Sequence, residues 1–157
     1  MVLEPFPSEV EHDPHFEQLV ERLCLRPGMY VNPTSFGSVC TYLDGLNAAR
    51  SGGPLMGLQQ WLVVRSKGGN NLHWSGLALR ELAGDTANAE LRDEERSIRA
   101  LGRLLAEFFA YRQANGLTKI FHEYARWLLR QSWYTGPLRR RTAEESETGD
   151  AADGRRD

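Results

Sequence analysis

Four histidines, two cysteines and one glycine-rich loop are the places in this 157-residue chain where side-chain chemistry would have to reside. His12 and His15 are three apart but straddle Asp13-Pro14, a helix start on which two rings rarely converge on a metal. His122-Glu123 has no second histidine four residues on, so the two-histidine zinc helix is absent. His73 stands beside Trp74 after Gly68-Gly69-Asn70-Asn71. A loop histidine next to an aromatic ring could line a pocket, although a hydrogen-bonded structural histidine is the expected role for all four. A metal would also need carboxylates or thiols close by, and no cluster is visible, so no metal and no cofactor are expected. Cys24 and Cys40 fall on apolar stripes, where a thiol is a small hydrophobe with a raised pKa. No G-x-S-x-G elbow is present. Ser66-Lys67-Gly68-Gly69-Asn70-Asn71 lacks phosphate-loop spacing, because its lysine precedes the glycines, and reads as a surface loop.

Composition narrows the class. Nineteen Lys+Arg against 21 Asp+Glu give a formal charge of −2. That near-balance excludes a surface built wholly to wrap nucleic acid. The 41% hydrophobic content supplies a core. Two cysteines make no disulfide framework. No apolar run reaches the roughly 18–20 residues that span a bilayer, so a cytoplasmic protein without a membrane partner is expected. The total hides an asymmetry. Residues 1–25 hold six acids and one arginine, whereas residues 26–138 hold 13 basic and nine acidic residues.

The elements that must position these groups are mostly helical. Residues 1–12 carry two prolines and no periodicity, and read as a loose acidic arm. Asp13 is an N-cap, Pro14 takes the first helical position, and Phe16, Leu19, Val20, Leu23 and Cys24 share a face. Arg26-Pro27-Gly28 stops this helix. A second starts at Thr34 or Ser35 and carries Phe36, Val39, Cys40, Leu43 and Leu46. A third follows Pro54 with Leu55, Leu58, Trp61 and Leu62 at helical spacing. Its end, 61–64, reads equally as a strand pairing with 72–79, so a short β-hairpin around residues 61–74 is the alternative to two helices. The longest helix covers 90–114 and is capped at Asn115-Gly116. Thr118 starts the last, which runs to Gly136-Pro137 with Ile120, Phe121, Tyr124, Trp127, Leu128 and Trp133. Residues 139–157 hold no large apolar side chain and read as a disordered tail. The expected fold is mostly α: one orthogonal bundle of about five helices spanning 13–138.

Arg26-Pro27-Gly28-Met29-Tyr30-Val31 resembles the RPGMY segment of the gyrase B type of ATPase. In that family a nearby helix carries a catalytic Glu and a magnesium-binding Asn in an E-x-x-D-N arrangement. Here the corresponding stretch is Thr41-Tyr42-Leu43-Asp44-Gly45. Neither Thr41 nor Gly45 can supply the base or the metal ligand, so ATPase activity is excluded. What remains is a helix-terminating turn, with Met29, Tyr30 and Val31 packing under the second helix. The order of this helix, RPGMY, Ser-Phe, a helix with Leu-Asp-Gly, Trp-Leu, Asn-Leu-x-Trp and a long helix also resembles small bacterial proteins, some of which are similar to immunity proteins encoded beside polymorphic toxins. That resemblance covers residues 13–130 and implies stoichiometric occlusion of a toxin enzyme.

The acidic residues Glu9, Glu11, Asp13, Glu17 and Glu21 are the candidate partner-binding surface, because acidic faces mimic phosphate and attract proteins that bind nucleic acid. The expected function is therefore a non-enzymatic, immunity- or antitoxin-type binding protein with a protein partner. The alternative is a small enzyme or ligand-binding accessory protein of specialised metabolism, with a pocket where Tyr30, Trp61, His73 and Trp74 converge. Direct nucleic-acid binding ranks third. Trp127, Trp133 and Tyr134 precede Arg139-Arg140-Arg141, but residues 139–157 hold five basic and six acidic side chains. Apolar surface on the last helix would suit a homodimer.

Overall fold

A computed structural model describes residues 12–83 and 93–139. The acidic arm, except His12, and the tail, except Arg139, lie outside these residues. So do Glu9 and Glu11. The described chain is all-helical, with five α-helices and one 3-10 turn, and no strand occurs among the described residues.

Helix α1 (Pro14–Leu25) begins as its sequence dictates. The Asp13 carboxylate accepts the Phe16 amide at 2.9 Å, and Pro14 loses no hydrogen bond at the first position. Phe16, Val20, Leu23 and Cys24 are buried. The 3-10 turn Pro27–Met29 follows at once, with Pro27 buried. Tyr30 and Val31 pack on the core as expected, and the Tyr30 ring lies 6.1 Å from that of Tyr42. Met29 does not: it is 74% exposed, because the tight turn points it away from the second helix.

Helix α2 (Phe36–Ala49) is capped by Ser35, whose hydroxyl accepts the Ser38 amide at 3.1 Å. Phe36, Val39, Cys40 and Leu43 are buried. Helices α3 (Leu58–Ser66) and α4 (Trp74–Ala83) occupy the segment that the hairpin alternative would have claimed. There is no hairpin around 61–74. Leu58, Trp61 and Leu62 recur at helical spacing and are all buried, with the Trp61 ring on Phe108 of α5, the helix described next, whereas a strand would split Trp61 from Leu62. Gly57 provides the entry at φ 86°, where a Cβ would stand 2.9 Å from Leu117 Cδ2. Helix α4 opens on Trp74 itself, so Ser75 lies in its first turn.

Helix α5 (Glu94–Leu129) is the central element and packs against α1, α2, α3 and α4. Asp93 caps it by accepting the Arg96 amide at 3.2 Å. Ile98, Leu101, Leu104, Leu105, Phe108 and Phe109 form its buried stripe. The Glu94 carboxylate accepts the Phe36 amide at 2.6 Å, joining the starts of α2 and α5. Gly116 breaks the helix at φ 77° and ψ 164°, yet the helix resumes directly at Leu117. The expected helix end and the Thr118 cap are thus one non-helical residue. The Asn115 side-chain amide donates to the Tyr111 carbonyl at 2.9 Å, adding a bond within the turn that precedes the break. Leu117 and Ile120 turn back to the core under Gly57. The helix closes at Leu129, short of Gly136-Pro137, and Trp133 lies beyond it, 53% exposed.

Candidate functional site

A groove of about 770 Å³ lies between α1 and α5. Its position follows from two helical stripes. Helix α1 contributes Glu17, Val20, Glu21 and Cys24, and α5 contributes Arg99, Gly102, Arg103, Ala106, Phe109 and Ala110. The small residues Gly102, Ala106 and Ala110 recur every fourth position, so they stack along one face. Gly102 sets the spacing: a Cβ there would lie 2.8 Å from Cys24 Cβ, so only glycine lets the helices approach this closely. Apolar side chains make the floor. Glu17 and Glu21 stand on one rim and Arg99 and Arg103 on the other.

The acidic residues expected to meet a partner have different surroundings. Asp13 caps α1 and pairs with Arg50 Nε at 3.1 Å, and the Arg50 guanidinium lies 5.4 Å from the Phe16 ring centroid. Its carboxylate is engaged in the fold. Glu17 is half-buried and meets His12 Nε2 at 2.9 Å. It also acts on Arg112, whose pKa burial lowers and Glu17 raises. Arg112 in turn donates to the carbonyls of Gly53 and Met56, both at 3.1 Å, and lies over the Phe108 ring. Glu21 is exposed on the rim. Across from it, Arg99 pairs with Glu95 at 2.6 Å.

The groove offers shape and charge but no activated nucleophile. Burial pushes the Cys24 thiol to about 12, and Cys40 on α2 likewise to about 12. Both remain neutral thiols at physiological pH, as their apolar positions imply. Among the described residues, no group of three or more His, Cys, Asp and Glu side chains is placed to hold a metal.

The four residues of the alternative pocket fall into three environments. Tyr30 sits against Tyr42 on α2. Trp61 packs on Phe108 and Tyr111, with Arg65 over its ring, beside a smaller cavity of about 340 Å³. His73 and Trp74 are together, with ring centroids 5.6 Å apart. The Trp74 indole N–H donates to Asp44 Oδ1 at 2.7 Å, and His73 Nε2 lies 3.7 Å from Asp44 Oδ2.

The basic rim of the groove, Arg99 and Arg103, is absent from the sequence expectation. The every-fourth-residue recurrence of Gly102, Ala106 and Ala110 is the signal that could have found it. No family model matches the chain, and neither a curated protein nor a solved structure does. No helix among the described residues is long and apolar enough to cross a membrane.

Proposed function

We propose that this is a binding protein of the immunity or antitoxin type that occludes a partner protein stoichiometrically through the α1–α5 groove. The observation that carries this reading is the groove itself: an apolar floor about 770 Å³ in volume, between an acidic rim at Glu17 and Glu21 and a basic rim at Arg99 and Arg103. A floor of that kind suits the apolar side of a partner helix or loop, and opposed rims of opposite charge fix its direction. A partner segment with basic residues along one edge is drawn to Glu21, the more exposed of the two acids. Burial keeps the groove's own thiol neutral, so Cys24 serves the groove as apolar floor.

The test is affinity capture from the native host with wild-type protein and a Glu17→Lys/Glu21→Lys double variant, both checked for an unchanged helical spectrum. The expected result is a stoichiometric partner lost from the variant. A main partner retained undiminished by the variant overturns the acidic rim as the contact.

A further inference from the structure

A second cluster lies away from the groove, where α2 meets the start of α4. The His73 ring Nδ1 is 2.9 Å from Ser75 Oγ, and the Ser75 amide points at the same nitrogen at 3.4 Å. A nitrogen that faces a backbone N–H is an acceptor, which leaves the ring proton on Nε2. Nε2 faces Asp44 Oδ2 at 3.7 Å, and Asp44 is held from its other oxygen by the Trp74 indole at 2.7 Å. Ser75, His73 and Asp44 thus lie in the order nucleophile, base, carboxylate: the hydroxyl is in hydrogen-bond contact with Nδ1, while the carboxylate stands beyond hydrogen-bond reach of Nε2 and acts on the ring through its charge.

We propose that Ser75, His73 and Asp44 form an acyl-transfer site for small, uncharged carboxylic esters with good leaving groups. The His73 side chain is 58% exposed, so the site is open and takes small substrates without a binding cleft. As Ser75 Oγ bonds to the carbonyl carbon, its proton passes to His73 Nδ1. Breaking the ester C–O bond releases the alcohol, which takes that proton. A water then attacks the Ser75 ester, gives a proton to Nδ1, and the acid leaves as Ser75 Oγ recovers the proton. Asp44 is a positioning residue for His73. This proposal does not rest on the groove.

The test is incubation of the full chain with a fluorophosphonate, which loses fluoride to an activated serine, with the adduct mapped by mass spectrometry. The expected result is one adduct, on Ser75, absent in Ser75→Ala. His73→Asn retains a side chain that caps helices but has no base, and it should slow labelling by about 10²-fold or more. Asp44→Asn should slow it by about 10-fold, with Asp44→Glu recovering part of the rate at matched thermal midpoints. No adduct on Ser75 in the wild type, or the same Ser75 rate in His73→Asn, overturns the site. Equal rates in the Asp44 variants overturn the aspartate's part in it.

Discussion

Gly102 and Tyr111 are single positions with measurable consequences. At Gly102 the absent side chain is the interaction. An alanine there would gain about 1 kcal/mol of helix propensity but would drive a methyl into Cys24 Cβ, 2.8 Å away, on a helix that cannot yield alone. Overpacking of this kind costs about 1–3 kcal/mol, so Gly102→Ala should lower the thermal midpoint by several degrees and widen or distort the groove. A midpoint that rises would show that α1 is free to shift. Tyr111 donates to Glu123 at 2.7 Å across the break in α5. Burial first, and then this hydrogen bond, raise its pKa from 10 to about 12. A folded-state pKa above the unfolded value gives stability that is complete below pH 10 and is lost as pH rises toward 12. Thermal midpoints measured from pH 9 to 12 should therefore fall more steeply in the wild type than in Tyr111→Phe. Parallel curves would mean that the hydroxyl contributes nothing to the alkaline limb.

The helices differ in what holds them. Helix α1 is specified at its start by Asp13-Pro14 and needs little else, whereas α5 is specified by what surrounds it. Gly116 occupies a backbone region, φ 77° with ψ 164°, that is almost closed to residues with a side chain. A Cβ there would meet no atom, so the obstacle to substitution is conformational alone. Gly116→Ala should cost about 1–3 kcal/mol. It should also favour a straightened α5, lifting Leu117 and Ile120 from Gly57. Faster amide hydrogen exchange over 117–121 with little change over 101–109 is the measurement that checks it. A uniform change across α5 would place the strain elsewhere. Beyond Ile120 no described side chain is buried, and Phe121 and Trp133 are well exposed. The far end of α5 is held by partly buried contacts: Tyr124 and Trp127 pack on the edge of the core with their planes 16° apart, and Tyr111 bonds Glu123 across the break.

Across the molecule, what was legible in the sequence is what is local. Asp13, Pro14, Ser35 and the apolar stripes of α1, α2 and α5 all declare themselves within a turn or two of helix. The segment 58–83 did not, because Trp61-Leu62-Val63-Val64 is a short apolar run that suits strand or helix equally until a packing surface exists. That surface is α5, some 40 residues later in the chain. Gly116 has the composition of a helix end, and nothing nearby reveals that the chain re-enters helix at once. The candidate site was half legible for the same reason. Glu17 and Glu21 are visible as acids on one helix, but their opposite rim, Arg99 and Arg103, belongs to another. The Asp44–Trp74 bond spans 30 positions, and the Arg112 contacts with Gly53 and Met56 span 59 and 56. Pairings at such separations are set by the assembled fold and leave no periodic trace.

Helix α5 is the common neighbour of every other α-helix, so any state in which it loosens disturbs the packing of all of them. The groove uses one of its faces, and α4, which carries Ser75, rests on another. Occupying the groove stabilises the native arrangement by mass action and lowers the population of states in which α5 has loosened. The opening of α4 is drawn from that same population. The two surfaces share no side chain, yet each reports on the other through the fraction of molecules that are briefly open.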